Sequence, residues 1–207
     1  MKLRNMTAIY ILKGDKILML YRQGGKVVNN VYVGTAGGHF EPEEVNDPKA
    51  CVLRELKEEC GLEPEEIKNL TLRYATKRLK DGEIRQNYYY FAEWNAGDKE
   101  LTSAEGRLEW HDIETVCELE MPLSAQLMME HYVKIGRFNT AVYAGITTPK
   151  GMTFVELEDM QRGEKLMAFP THIVAAAGYV FDKEGNLLLI TTPNRGWDCT
   201  GGQIEEG

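Results

Sequence analysis

The chain has 207 residues, 43% of them hydrophobic and 27% charged, with a net charge of −8, a globular make-up whose length allows one large domain or one domain and part of another. The acidic balance speaks against a nucleic-acid polymer as partner, and no apolar run reaches the roughly 18 residues that cross a bilayer, so no membrane is expected. The four cysteines, at 51, 60, 117 and 199, have no paired metal spacing, and with no export signal at the N-terminus the expected setting is the reducing cytoplasm.

Residues 8–12 and 17–20 read as strand, turn, strand around Gly14-Asp15-Lys16. After the Gly37-Gly38 loop comes the first helix, with Asp47 as N-cap, Pro48 as first helical residue and Gly61 just past the end. Ala50, Leu53, Leu56 and Cys60 form its expected apolar stripe. Glu55 and Glu59 then fall on the far side, with Glu58 close by. The three acids sit at i, i+3 and i+4 and share one helical face. Like charges at that spacing weaken a helix by a few tenths of a kcal/mol per pair, a cost that a divalent cation would turn into a binding site. On these residues alone a solvated acidic face stays open.

Residues 70–80 and 86–94 read as two strands around Lys80-Asp81-Gly82-Glu83, and 108–111 as a short strand. Residues 122–135 read as a second helix, with Leu123, Leu127, Met128 and Tyr132 at helical spacing and Met128, Met129 and Tyr132 taken as core packing. A closing hairpin is expected from 140–146 and 153–157 across Pro149-Lys150-Gly151. Strands flanked by two helices predict an α/β fold, a mixed β-sheet between helices. Residues 158–170 read as a linker. The opening pattern then returns: 177–181, a turn at 182–186, 187–190, and finally Gly201-Gly202-Gln203-Ile204-Glu205.

Residues 38–62 resemble the signature of the Nudix hydrolases: a Gly, five residues, a Glu, seven residues, then Arg-Glu-apolar-x-Glu-Glu-x-Gly-apolar. Gly38 and Glu44 fit the first half, and Arg54-Glu55-Leu56-Lys57-Glu58-Glu59-Cys60-Gly61-Leu62 fits the second completely. Nine residues separate Glu44 from Arg54 where the family has seven. The two extra residues fall in 45–48, before the helix, so they leave the acids in phase and weaken the expectation for Glu44. The resemblance implies a Nudix-type α/β/α sandwich over residues 1–157, and residues 171–207 resemble the start of a second Nudix-like domain, without its catalytic helix.

The resemblance further implies hydrolysis of a nucleoside diphosphate linked to another group, with Mg²⁺ or Mn²⁺ held by oxygen ligands. By it, Glu58 and Glu59 are metal ligands, Glu55 a ligand or the base for water, and the Gly37 carbonyl completes the shell. Arg54 holds Glu55 by a charge-assisted hydrogen bond, though a surface pair with Glu58 is the alternative. Glu105 is the expected additional acid from a distal loop, with Glu109 behind it. The expected substrate is a small nucleotide, an oxidised purine nucleoside triphosphate such as 8-oxo-dGTP, with ADP-ribose or a nucleotide sugar as alternative. Asn87, Tyr89 and Tyr21 are the expected pocket residues, while Leu123-Ser124-Ala125-Gln126 lacks the Asn that bacterial members carry after the corresponding proline. A nucleotide-binding module without hydrolysis is the alternative of another class, and a homodimer is the candidate assembly.

Overall fold

The computed structural model describes residues 2–23, 29–158, 175–192 and 196–203. The chain divides into two units, one ending and the other beginning between residues 158 and 175. Apart from Glu158, the expected linker at 158–170 lies outside the described residues.

The first unit is built on one eight-stranded mixed sheet. Its strands are β1 (Lys2–Lys13), β2 (Lys16–Arg22), β3 (Val31–Val33), β4 (Ile67–Lys80), β5 (Glu83–Trp94), β6 (Gly106–Asp112), β7 (Val142–Thr148) and β8 (Gly151–Leu157). The order is β3-β2-β1-β5-β4-β7-β8, with β6 also paired to β2. β1 runs parallel to β5 and β4 parallel to β7; the other pairs are antiparallel. Helix α1 (Pro48–Cys60) covers one face and α2 (Leu123–Lys134) the other. Alternation along β1 feeds both cores: Ile9 and Ile11 pack on the α1 side, Tyr10 on the α2 side. The α/β/α sandwich with a mixed sheet is therefore the observed fold.

α1 begins and ends where its caps place it but buries a face rotated from the expected stripe, while α2 keeps its expected core residues and exposes Leu123. α1 buries Cys51, Val52, Leu56 and Cys60, while Ala50 is exposed. Val52 and Leu56 are each worth about 1.5–3 kcal/mol when fully buried, more than an alanine methyl can offer. On α2 Ser124, Ala125, Met128, Met129 and Tyr132 are buried, the last three as expected, while Leu123 in its first turn is exposed.

The second unit holds two small antiparallel pairs. β9 (Ala175–Gly178) pairs with β12 (Thr200–Gln203), and β10 (Ile190–Thr192) with β11 (Gly196–Asp198). The expected hairpin across 182–186 is reduced to a bridge between Phe181 and Leu187. Asp182 closes its turn by accepting from the N–H groups of Glu184 and Asn186. Tyr179, Phe181, Leu188 and Trp197 stay exposed.

Candidate active site

The site begins where the sheet splits. β1 and β2 are paired only near their turn, from Ile11 and Leu18 to Lys13 and Lys16. Beyond that point residues 34–39 enter between them. Ile9 N–H donates to Ala36 O and Thr7 N–H to Gly38 O, both at 2.9 Å. The buried Thr35 hydroxyl donates to Leu18 O at 2.7 Å and accepts from Ile11 N–H at 3.2 Å, so one side chain bridges the two diverging strands. The two glycines that follow are fixed by close approach. A Cβ on Gly37 would collide with the Thr7 carbonyl, and one on Gly38 with the Glu55 carboxylate.

α1 lies against this wedge. The Asp47 carboxylate accepts from Ala50 N–H at 3.0 Å, and Gly61 takes the left-handed conformation at φ 62° that ends the helix. With Val52 and Leu56 turned into the core, Glu55 and Glu59, one turn apart, face the wedge. The Glu55 side chain is 12% exposed, whereas that of Glu58 is 58% exposed.

Arg54 ties this corner together. It donates to Glu44 through Nε at 2.7 Å and Nη2 at 3.0 Å, to Glu58 through Nη1 at 2.9 Å and to His39 O at 3.1 Å, and its Nη2 lies 3.0 Å from Glu55 Oε1. The guanidinium holds the Glu44 carboxyl down at about 2. The two extra residues do not keep Glu44 from Arg54: the chain turns at residues 45 and 46, where Asp47 N–H donates to Glu44 O at 2.8 Å, and Glu44 is buried on Arg54. Arg54 thus reaches Glu55 and Glu58 at once, the two N–H groups of Nη2 being shared among Glu44, His39 O and Glu55.

The other acids meet across the wedge. Gly37 N–H donates to Glu59 Oε2 at 3.0 Å. Burial pushes the Glu59 carboxyl up to about 8, Gly37 opposing the shift and neighbouring Glu105 and Glu55 adding to it. Burial raises Glu55 as well, against the pull of Arg54. Glu105, from the loop before β6, lies 2.7 Å from Arg22. Glu55, Glu59 and Glu105 line one cavity of about 990 Å³ with Gly37 and Gly38.

The family model for the NUDIX domain matches residues 1–132. The chain belongs to the Nudix family. Solved structures share the fold: the mutator MutT protein of Bacillus halodurans (21% identity, TM-score 0.52, 74% of this chain and 97% of that one), the E. coli ORF135 protein (20%, 0.53, 67% and 94%) and an Ap4A hydrolase of C. elegans (16%, 0.52, 67% and 100%). No curated protein sequence matches the chain. It is a Nudix hydrolase, an enzyme of pyrophosphate bonds, and enzymes of this family act on small nucleotides with the help of divalent metal ions.

The residues present fit such an ion. Among the described residues no three acid, histidine or cysteine side chains already converge as a ligand set. Glu55 and Glu59 nonetheless face one cavity as buried carboxylates whose charge nothing fully offsets, the environment a hard cation relieves. The carbonyls of Ala36 and Gly38 accept from β1, while among the described residues no backbone N–H donates to that of Gly37. Glu58 stands apart, drawn outward by Arg54 and absent from the cavity wall.

Of the expected pocket residues of this Nudix domain, Asn87 and Tyr89 line the cavity and Tyr21 does not. Its neighbours Leu20 and Arg22 both line it, so alternation turns Tyr21 to the other face. There it packs on Tyr32, ring centroids 4.9 Å apart, beneath the Arg107 guanidinium. Glu109 is likewise outside the wall, accepting from the Tyr32 hydroxyl. Sequence reasoning missed Tyr10, Arg22, Arg78 and Ser124, which also line the cavity. Strand pairing brings the first three together and the packing of α2 adds Ser124, and no local motif marks them. Among the described residues no helix is long and apolar enough to cross a membrane.

Proposed function

We propose that this enzyme hydrolyses a purine nucleoside triphosphate, an oxidised one such as 8-oxo-dGTP, to the monophosphate and pyrophosphate, with Mg²⁺ or Mn²⁺. The observation that carries this reading is the meeting of Glu55, Glu59 and Glu105 in one cavity whose other lining includes Tyr10 and Tyr89. Glu55 and Glu59, both driven up by burial, mark a place for a cation and the diphosphate it accompanies, while the aromatic side offers a slot for a base.

Glu55 and Glu59 would hold the ion with the Gly37 carbonyl, and Glu58 would join them by leaving Arg54. When bound, the ion supplies charge neutralisation at the diphosphate oxygens and acidifies water. Arg54 engages Glu55 Oε1, opposing the upward push of burial on that carboxyl, and leaves its second oxygen as the acceptor for the proton of the attacking water. Glu105, beside Glu59, is the other base within the cavity.

The volume, at the upper end for small-molecule sites, favours a second reading in which the substrate is larger: ADP-ribose or a nucleotide sugar. A cytoplasmic setting is supported by four unpaired cysteines. A homodimer is supported by the exposed Val155 and Leu157 on edge strand β8. Purified protein given a panel of nucleotides and Mg²⁺ should release pyrophosphate or phosphate, and Glu58→Gln should lose that activity. Absence of metal-dependent turnover across the panel would end the reading.

A further inference from the structure

The acids of the cavity arrive on two segments. Glu59 is carried by the last turn of α1, and Glu105 ends the loop 95–105 between β5 and β6. Glu105 stands close enough to Glu59 for its charge to push that carboxyl up. Ionised, the two carboxylates drive their segments apart, so a join is needed outside the cavity. Lys99, six residues before Glu105, makes one. Its ammonium donates to the Gly61 carbonyl at 2.9 Å and to the two oxygens of Glu66 at 2.8 and 2.7 Å. Gly61 caps α1 two residues past Glu59, and Glu66 closes the 3-10 turn Pro64–Glu66 that follows. Carbonyls at a helix C-terminus carry partial negative charge that suits a cation. An ammonium has three donors, and its three acceptors here all belong to the end of α1 and the turn after it. On the loop side Lys99 N–H donates to Ala96 O at 3.1 Å, which fixes the turn that presents it.

We propose that Lys99 is a positioning residue that holds Glu105 at working distance from Glu59 by fastening its loop to the end of α1. The proposal rests on the reading above, in which a divalent cation sits where these acids face. Lys99 is not on the cavity wall, so it touches neither cation nor nucleotide and acts through Glu105. Other contacts hold the loop without setting this distance. Asn95 bonds to the carbonyls of Glu65 and Glu66 where the loop leaves β5. Leu101 packs on the α1-side core, and an apolar contact has no direction. The ammonium, bonded to fixed oxygens, supplies the direction. At the other end Arg22 lies 2.7 Å from Glu105 and draws its carboxylate towards β2. Without Lys99 the loop follows that pull, away from Glu59. A part-exposed ion pair adds little to stability, so the effect falls on geometry.

The test titrates Mn²⁺ into the full chain by calorimetry, without nucleotide, in the wild type, Lys99→Met, Lys99→Arg and Lys57→Met, each checked by its melting temperature. Lys57 pairs with Glu63 at the same end of α1 without reaching the loop, so it controls for charge alone. Lys99→Met should weaken Mn²⁺ binding by roughly tenfold, the lower end for a residue that acts behind a metal site, with the melting temperature nearly unchanged. Lys99→Arg, which can reach the same carbonyl and carboxylate, should restore most of the loss. In a Glu105→Gln background Lys99→Met should add little, because the group it positions is gone. Unchanged binding in Lys99→Met, equal weakening in Lys57→Met, no rescue by arginine, or full additivity with Glu105→Gln each overturns the proposal and leaves the metal site standing. With a nucleotide that is turned over, Lys99→Met should lower kcat and leave KM near its wild-type value; a raised KM with unchanged kcat makes Lys99 a substrate contact and overturns the proposal. A wild type that binds no Mn²⁺ overturns it together with the metal-dependent reading.

Discussion

Two glycine pairs in this chain have nearly the same local sequence and very different surroundings. Gly37-Gly38 sits between β1 and α1, so close to Thr7 and Glu55 that neither position has room for a Cβ. Gly201-Gly202 lies in a two-stranded ladder opposite Ala177 and Ala176; a Cβ on Gly201 would press on the Ala176 carbonyl of the paired strand, but one on Gly202 would meet nothing within 4 Å. The pair does not make a site by itself. It becomes one when a helix lays carboxylates against it, because only then does glycine's missing side chain admit an acid next to the backbone.

The sharpest way to break the contrast is Gly38→Ala. The added methyl must displace the Glu55 carboxylate, and misplacing a reacting group by about 1 Å costs on the order of 10²-fold in rate. Metal-dependent nucleotide turnover should fall by about that much while melting temperature changes little. Next comes Glu44→Gln, which takes a charged partner from Arg54. Denaturant titration at neutral pH should show a loss of about 1–3 kcal/mol. Its pH profile has a known sign. The Glu44 carboxyl is depressed to about 2, so its contribution is present above the ordinary value near 4.5, fades as pH falls towards 2, and should be absent from the variant's profile.

Glu59 should show the opposite sign. Its carboxyl is raised from 4.5 to about 8, so between those values the folded state keeps a proton that the unfolded state has lost. Without divalent cation, stability should therefore decline as pH rises through this window. Glu59→Gln should remove that slope and Mg²⁺ should flatten it; a slope unchanged in the variant would place its origin elsewhere. The smallest effect belongs to the second glycine pair: Gly202→Ala should change stability by no more than about 0.5 kcal/mol and leave turnover unaltered.

Much of α1 is legible from sequence because its signals are local. Asp47, Pro48 and Gly61 set its ends through caps that involve only nearby residues, and the acids follow at fixed helical offsets. Its rotation is not legible, since Ala50 and Leu53 make as plausible a stripe as Cys51 and Val52 until a sheet offers the latter a place to bury. Glu44 is obscured for a related reason: counting residues cannot show that the turn at residues 45 and 46 takes up the two extra ones. Tyr21 fails on parity, a single-residue question that only the position of the cavity answers. Arg78 and Tyr10 lie on strands separated by β5, and their place on one cavity is visible only when the sheet is assembled.

Thr35 has a mechanical consequence. The same hydroxyl gives its proton to β2 and receives one from β1, so the two strands cannot slide along each other without breaking both bonds together. The branch point at residue 35 thereby fixes the register of β1 against β2, and with it the level at which the Gly37-Gly38 backbone meets the carboxylates of α1.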